Sequence, residues 1–259
     1  MFTVALVVSA VVGLAVGSFL NVVVHRVPMR VSVVRPRSQC PGCQMPVAPR
    51  DNVPVVSFLL LRGRCRSCAE PISPRYPVIE ALTAALFVGV TLRLGLDLSV
   101  LAYWLFAAAL VAVAAIDLEH HIVPNRVVYP TLAVAVPLLV LAAVVDHSPA
   151  ALLRAAIGGA AAFVALLVIH LVQPRGMGFG DVRLAGVIGV FLGWLGLGLV
   201  ALGLFVGFLL AAAAGIALMA AGRAGRRSQV PFAPFLAAGA MTSFLWGAPL
   251  VRMWLGVGA

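Results

Sequence analysis

Residues 184–221 form an uninterrupted apolar stretch of 38 residues. At ~20 residues per crossing of the hydrocarbon layer, this is two short transmembrane helices. The segment Gly193-Trp194-Leu195-Gly196-Leu197-Gly198 is the place for the turn between them. Six further apolar stretches, at about 2–24, 76–92, 98–116, 127–145, 151–172 and 235–251, bring the expected number of spans to eight. Pro130 and Pro137 are kink positions that a membrane helix tolerates. No repeat of solenoid period is present.

The composition agrees. Of the 259 residues 63% are hydrophobic and 10% charged, and mean hydropathy is +1.12. A soluble domain carries ~25% charged residues and avoids large exposed apolar patches. A soluble enzyme, a disordered chain and a disulfide mini-protein are therefore excluded. The continuous apolar runs also lack the alternation of a membrane β-barrel. The expected fold is an all-α polytopic membrane protein.

All 18 basic residues are Arg, and the net charge is +10. In a membrane protein this basicity marks loops kept in the cytoplasm, not contact with nucleic acid. The first stretch has no positive charge before it, and His25-Arg26 follow it. That is the reverse of a signal peptide, so an uncleaved first span with its N-terminus outside is expected. Loops reached after an odd number of spans hold fifteen arginines: Arg26, Arg30, Arg35, Arg37, Arg50, Arg62, Arg64, Arg66, Arg75, Arg126, Arg175, Arg183, Arg223, Arg226 and Arg227. The other side keeps three, Arg93, Arg154 and Arg252. Odd loops are thereby read as cytoplasmic.

One loop is large, 25–75, and holds all four cysteines, as Cys40-Pro-Gly-Cys43 and Cys65-Arg-Ser-Cys68 with 21 residues between the pairs. Two C-x-x-C knuckles at about this separation suit tetrahedral thiolate coordination of Zn²⁺. A loop of this size with few large apolar groups cannot build a sufficient core, and a metal supplies folding free energy. Disulfides do not suit a reducing cytoplasm, and a redox C-x-x-C comes singly in a βαβ setting. Because all four ligands are protein, the metal is structural. The expected division is a first helix at 1–24, a cytoplasmic zinc domain at 25–75 and a transmembrane domain of about seven helices at 76–259.

Eight acids are present. Asp51 and Glu70 lie in the cysteine loop, and Asp97 and Asp146 lie in short outside turns. Glu80, Asp117, Glu119 and Asp181 lie near apolar segments, where an ionisable group marks function by default. Asp117 ends the third span, before Leu-Glu119-His120-His121-Ile-Val-Pro124, and Asp181 opens the sixth after Gly176-Met-Gly178-Phe-Gly180. Three and five crossings are both odd, so the two carboxylates share the cytoplasmic edge. Such a pair holds one proton between them and is equipped for aspartic hydrolysis. One member takes a proton from water and the other donates to the carbonyl oxygen. The glycines admit close approach of a substrate backbone. Read singly, Asp181 is a helix N-cap and Asp117 an interfacial charge. Glu119-His120-His121 is not an H-E-x-x-H metal motif, so the histidines are read as interfacial. Glu80 either snorkels or makes a polar contact to substrate or to another helix.

These residues resemble those of the type IV prepilin peptidases, over nearly the whole chain. Val16-Gly17-Ser18-Phe19-Leu20-Asn21-Val22-Val23 is similar to the family's first-span signature. Cys40-Pro-Gly-Cys43, Asp51-Asn-Val-Pro54, Leu61–Cys68 and Pro71–Pro77 resemble its cytoplasmic domain. Asp117 with Ile122 and Pro124, and Gly178-Phe-Gly180-Asp181, resemble its two aspartate motifs; Pro231–Phe235 resembles the segment before its last span. Arg183 stands where Lys is frequent, and Ala233 where Gly is. The resemblance implies Asp117 and Asp181 as a catalytic dyad and zinc on Cys40, Cys43, Cys65 and Cys68. It implies cleavage of prepilins and pseudopilins after a Gly at the cytoplasmic face of the bacterial inner membrane, in pilus biogenesis and protein secretion. It also implies N-methylation of the new terminus with S-adenosyl-L-methionine as donor. Gly178, Gly180, Arg183 and Glu80 are the candidate substrate contacts. Two other readings of the same acids are an ion relay in a transporter or channel and a presenilin-like protease cutting within the bilayer.

Overall fold

In the computed structural model every long apolar stretch is a helix. The structure describes residues 1–174, 176–222 and 230–254, the last three without their side chains. Arg175, Arg223, Arg226 and Arg227 of the charge pattern lie outside the described residues, as does the side chain of Arg252. The helices are α1 (Phe2–Arg26), α2 (Val56–Leu60), α3 (Arg75–Leu94), α4 (Val100–His120), α5 (Asn125–Val145), α6 (Pro149–Val172), α7 (Phe179–Leu195), α8 (Leu197–Ala220) and α9 (Ala233–Trp254). There are eight long helices among the described residues. Seven are long and apolar enough to cross a membrane. The eighth, α7, has 17 residues, the lower end of the spanning range of ~17–25. The protein is a multi-pass membrane protein.

The apolar stretch at 184–221 divides at Gly196, inside the expected turn. Its first helix starts five residues earlier than the apolar run, at Phe179. Gly178, extended, caps it, and Asp181 lies in its first turn, where an acid meets the unpaired N–H groups. Asp181 is thus not the N-cap but a residue inside the helix. Pro130 and Pro137 both lie within α5, which runs on through them.

The chain forms two compact units, Met1–Leu96 and Asp97–Ala259. In the first, α1 and α3 pack antiparallel through Ser9, Gly13, Gly17 and Asn21, all buried and spaced by four. This is the small-residue stripe by which membrane helices bring backbones together. A Cβ on Gly17 would stand 2.6 Å from the Glu80 Cα. Ser9 and Thr91 share a hydrogen bond of 2.7 Å, and Asn21 Nδ2 donates to the Tyr76 carbonyl at 3.2 Å. Between α1 and α3 lies the cysteine loop, without a named strand.

In the second unit, α6 and α7 pack just as closely: a Cβ on Gly158 would stand 2.5 Å from the Gly189 carbonyl oxygen. An aromatic cluster joins α4, α7 and α9. Tyr103 OH donates to the Phe191 carbonyl at 2.6 Å, the Phe106 and Phe191 rings stack at 4.1 Å, and Tyr103 stacks on Phe244 at 4.9 Å. Buried aromatic stacking and a satisfied hydroxyl hold these three helices in fixed register. The same three helices carry the groups described next.

Candidate active site

Asp117 lies in the last turn of α4, which ends at His121 in the left-handed conformation (φ 54°). Asp181 lies in the first turn of α7. They are 5% and 8% exposed. Between their helices, Gly180 packs on the loop that follows Asp117: a Cβ there would stand 2.7 Å from the Val123 Cβ. The second aspartate motif therefore seats directly on the chain leaving the first. A third segment completes the surroundings. Ala233, the first residue of α9, donates its backbone N–H to Asp117 Oδ2 at 3.0 Å. Asp181 Oδ1 is buried and has no hydrogen-bond partner among the described residues.

Of the other expected site residues, Gly178 borders the Asp181 carboxylate: a Cβ on it would stand 3.4 Å from Oδ2. Arg183 points elsewhere: it donates to the Asn125 side chain, and its guanidinium lies 4.9 Å over the Phe179 ring. Glu80 belongs to the first unit. It is buried, and its Oε2 accepts the Val55 N–H at 2.7 Å, so its polar contact is to the cysteine loop. Glu119, His120 and His121 are exposed. His170, for which the sequence suggests no partner, bonds the Met177 carbonyl at 2.8 Å. Sequence reasoning missed Val123 and the Ala233 N–H. A backbone donor leaves no composition signal, although Pro231–Phe235 marks its neighbourhood.

The four cysteines are free thiols whose sulfurs all lie within 4.8 Å of one another, a group that could hold a metal ion. The two knuckles have one geometry. Cys40 N–H bonds the Met45 carbonyl and Gln44 N–H bonds that of Cys40; Cys65 N–H bonds the Glu70 carbonyl and Ala69 N–H bonds that of Cys65. Gln44 and Ala69 both take positive φ, at 57° and 58°. The Cys40 and Cys68 sulfurs are 3.7 Å apart, close to the ~3.8 Å edge of a tetrahedron with Zn–S bonds of ~2.3 Å. With protons as the only counterions, backbone N–H groups of Cys68 and Ser67 bring the Cys65 thiol down to about 7. At Cys68 the Glu70 N–H acts in the same direction, but desolvation and the three neighbouring thiols push it up to about 12. Four sulfurs this close fit a cation better than protons. Beside them, Arg66 grips Asp51 in a bidentate pair, with contacts of 2.7 and 3.0 Å. Its guanidinium holds the Asp51 carboxyl below the usual carboxylate range.

The profile of the bacterial peptidase A24 N-terminal domain matches residues 11–94, and that of the type IV leader peptidase family matches residues 104–220. The chain is 35% identical to a prepilin leader peptidase/N-methyltransferase of Bacillus subtilis, over 94% of this chain and 95% of the other. It is 34% identical to a protein of the same description from Aeromonas hydrophila, over 93% and 91% of the two chains. A Pseudomonas aeruginosa protein so described is 30% identical, over 94% and 91%. No solved structure matches.

Proposed function

Because the chain belongs to the type IV leader peptidase family, we propose that it removes the leader peptides of type IV prepilins and pseudopilins by aspartic hydrolysis at Asp117 and Asp181. The observation that carries this reading is that Asp117 and Asp181 are both buried on helices held by one aromatic cluster, with Gly180 beside Asp181 seated on the loop that leaves Asp117. Two carboxyls brought to close range hold one proton between them. The charged member takes a proton from water as that water attacks the Gly carbonyl of the Gly–X bond. The other donates to the carbonyl oxygen, and the proton then passes to the leaving amine. The Ala233 N–H fixes the orientation of Asp117, while the unpartnered Oδ1 of Asp181 is free to bond water or substrate. Gly178 leaves room beside the Asp181 carboxylate for a substrate backbone.

The cut falls at the cytoplasmic face of the inner membrane, with the N-terminus outside; the arginine bias supports this orientation. The substrate's apolar helix lies in the bilayer. Residues 1–24 then form the first membrane helix, 25–75 the zinc domain and 76–259 the transmembrane peptidase domain. Zn²⁺ on Cys40, Cys43, Cys65 and Cys68 has a structural role, closing two knuckles that have no core of their own.

The reading extends to N-methylation of the new terminus with S-adenosyl-L-methionine as donor, which the description of the relatives as N-methyltransferases supports. Helices are the only regular elements longer than a bridge among the described residues. A donor site of the strand-then-glycine-loop kind is therefore not one this chain would use.

Co-expression with a prepilin, followed by mass spectrometry of its N-terminus, tests cleavage and methylation together. Cleavage by the wild type and none by Asp117→Asn or Asp181→Asn is the expected result. Normal processing by either variant sinks the assignment.

A further inference from the structure

The helix α2 has no role in the reading above, yet it is fixed in an unusual place. Its start is tied to α3 by the hydrogen bond from Val55 N–H to buried Glu80. Glu80 lies five residues into α3, ~7 Å along the helix. Helical side chains lean toward the N-terminus, so Val55 lies level with the first turn of α3. The bond from Asn21 to the Tyr76 carbonyl sets the same level on α1, five residues short of its end at Arg26. Both α1 and α3 are membrane-spanning by length and composition. Each headgroup layer is only ~5–7 Å thick, so the start of α2 is within about one such layer of the ends of these two helices.

The face that α2 shows there is apolar. Ser57 turns inward, bonding the Arg50 carbonyl and accepting the Val53 N–H, each at 3.0 Å. Phe58 folds under Gly63, where a Cβ would stand 3.1 Å from its ring. Val56, Leu59 and Leu60 point outward, and the two leucines are 66% and 77% exposed. Val55 holds φ at 60°, in the left-handed region that a β-branched residue avoids. Arg50, Arg62 and Arg64, all exposed, flank it. From Arg26 to Arg75 the loop has nine arginines against two acids, a surplus of seven positive charges. A zinc bound by four thiolates carries two negative charges and still leaves a surplus of five.

We propose that α2 is an interfacial membrane anchor: Val56, Leu59 and Leu60 insert among the acyl chains of the bilayer that α1 and α3 cross. Arg50, Arg62 and Arg64 bind the phosphates of anionic phospholipids around it. The anchor ties the second cysteine knuckle, which begins at Cys65 only five residues after Leu60, to the membrane surface. This inference needs only the membrane setting of α1 and α3. It stands or falls separately from the peptidase reading.

The test is a fluorescent amino acid introduced by nonsense suppression at Leu60 of the full chain, with a second sample labelled at exposed Gln44. Each is reconstituted in phosphatidylcholine bilayers with or without phosphatidylglycerol, after zinc content confirms an intact loop. With phosphatidylglycerol present, the label at 60 is quenched by nitroxide lipids and is several-fold less accessible to aqueous iodide than the label at 44. Arg62→Gln with Arg64→Gln removes the dependence on phosphatidylglycerol, and added salt weakens it. Equal iodide access at 60 and 44 overturns the proposal. So does protection at 60 that persists in detergent without lipid, which assigns the face to another part of this chain. Protection lost at one copy per nanodisc assigns it to a second copy, and also overturns it.

Discussion

In each cysteine knuckle, the bonds that shape the turn run between residues four or five apart, such as Gln44 to Cys40 and Cys40 to Met45. The surroundings of Asp117 are gathered from afar: Val123 from the next loop, Asp181 64 positions on, and Ala233 116 positions on. The first site is a local motif that a metal can close. The second exists only once α4, α7 and α9 are packed. The two should therefore fail in different ways. Loss of one cysteine undoes a small loop, whereas loss of one packing contact spoils alignment at the aspartates without unfolding anything.

The largest effect tests the local half. Cys40→Ser or Cys65→Ser should abolish stoichiometric zinc by elemental analysis and open residues 27–74 to limited proteolysis. Zinc at such sites supplies ~10–16 kcal/mol of apparent binding free energy, and this loop has little else to fold on. The helical circular dichroism, dominated by the eight long helices, should hardly change. Extraction of the metal with a chelator should reproduce the proteolysis pattern in the wild type. If the loop stays protected without metal, its bonds alone suffice and the contrast with the aspartate site collapses.

Next in size is the chemistry. Asp117→Asn and Asp181→Asn should each lower prepilin cleavage by at least ~10²–10⁴-fold, the range for a lost general acid or base, with unchanged thermal unfolding. A double variant no worse than either single variant would mark the two carboxyls as one catalytic unit.

What the sequence revealed follows the same division. The knuckles were legible because ligand identity and spacing are both written locally. The two aspartates stood out because an acid beside an apolar run is costly and therefore informative, and crossing parity is the reason to expect them on one face. Gly196 was foreseeable as the break in a stretch too long for one span. The start of α7 was not, because its first turn is held by capping at Gly178 and packing of Gly180 on Val123, neither of which has an apolar period. The partner of Glu80 is a backbone N–H, as is the Ala233 donor to Asp117. Sequence patterns report side chains, so backbone donors stay invisible until the fold is known.

Two glycine substitutions sharpen the comparison at smaller scale. Gly17→Ala sets a methyl 2.6 Å from the Glu80 Cα, where only backbone can give way. Overpacking of this kind costs ~1–3 kcal/mol, read as a lower unfolding temperature for the α1–α3 pair. Gly180→Ala meets the stiff Val123 side chain at 2.7 Å. Its stability cost should be similar, but it shifts Asp181 relative to Asp117. A misplacement of ~1 Å can cost ~10²-fold in rate, so kcat should fall by about ten- to a hundredfold with KM little changed. Gly180→Ala with Val123→Ala should recover much of the loss.

The smallest expected effect belongs to the Asp51–Arg66 pair beside the second knuckle. Arg66 holds the Asp51 carboxyl below its ordinary value of 3.8. The sign follows from linkage: the folded loop favours the carboxylate, so the pair stabilises above that value and its contribution fades as pH falls through the depressed one. At neutral pH the contribution is complete, and Asp51→Asn removes it. Arg66 is half exposed, 53% at its side chain, and exposed pairs are weak and screened by salt. Asp51→Asn should therefore speed proteolysis of the zinc-loaded loop only slightly at low ionic strength, and the difference from wild type should shrink as salt is added. Acid is the poorer probe, because protons displace zinc from thiolates before Asp51 titrates. A large, salt-independent effect of Asp51→Asn would mean that the pair carries the loop's fold, and the metal would no longer be its main support.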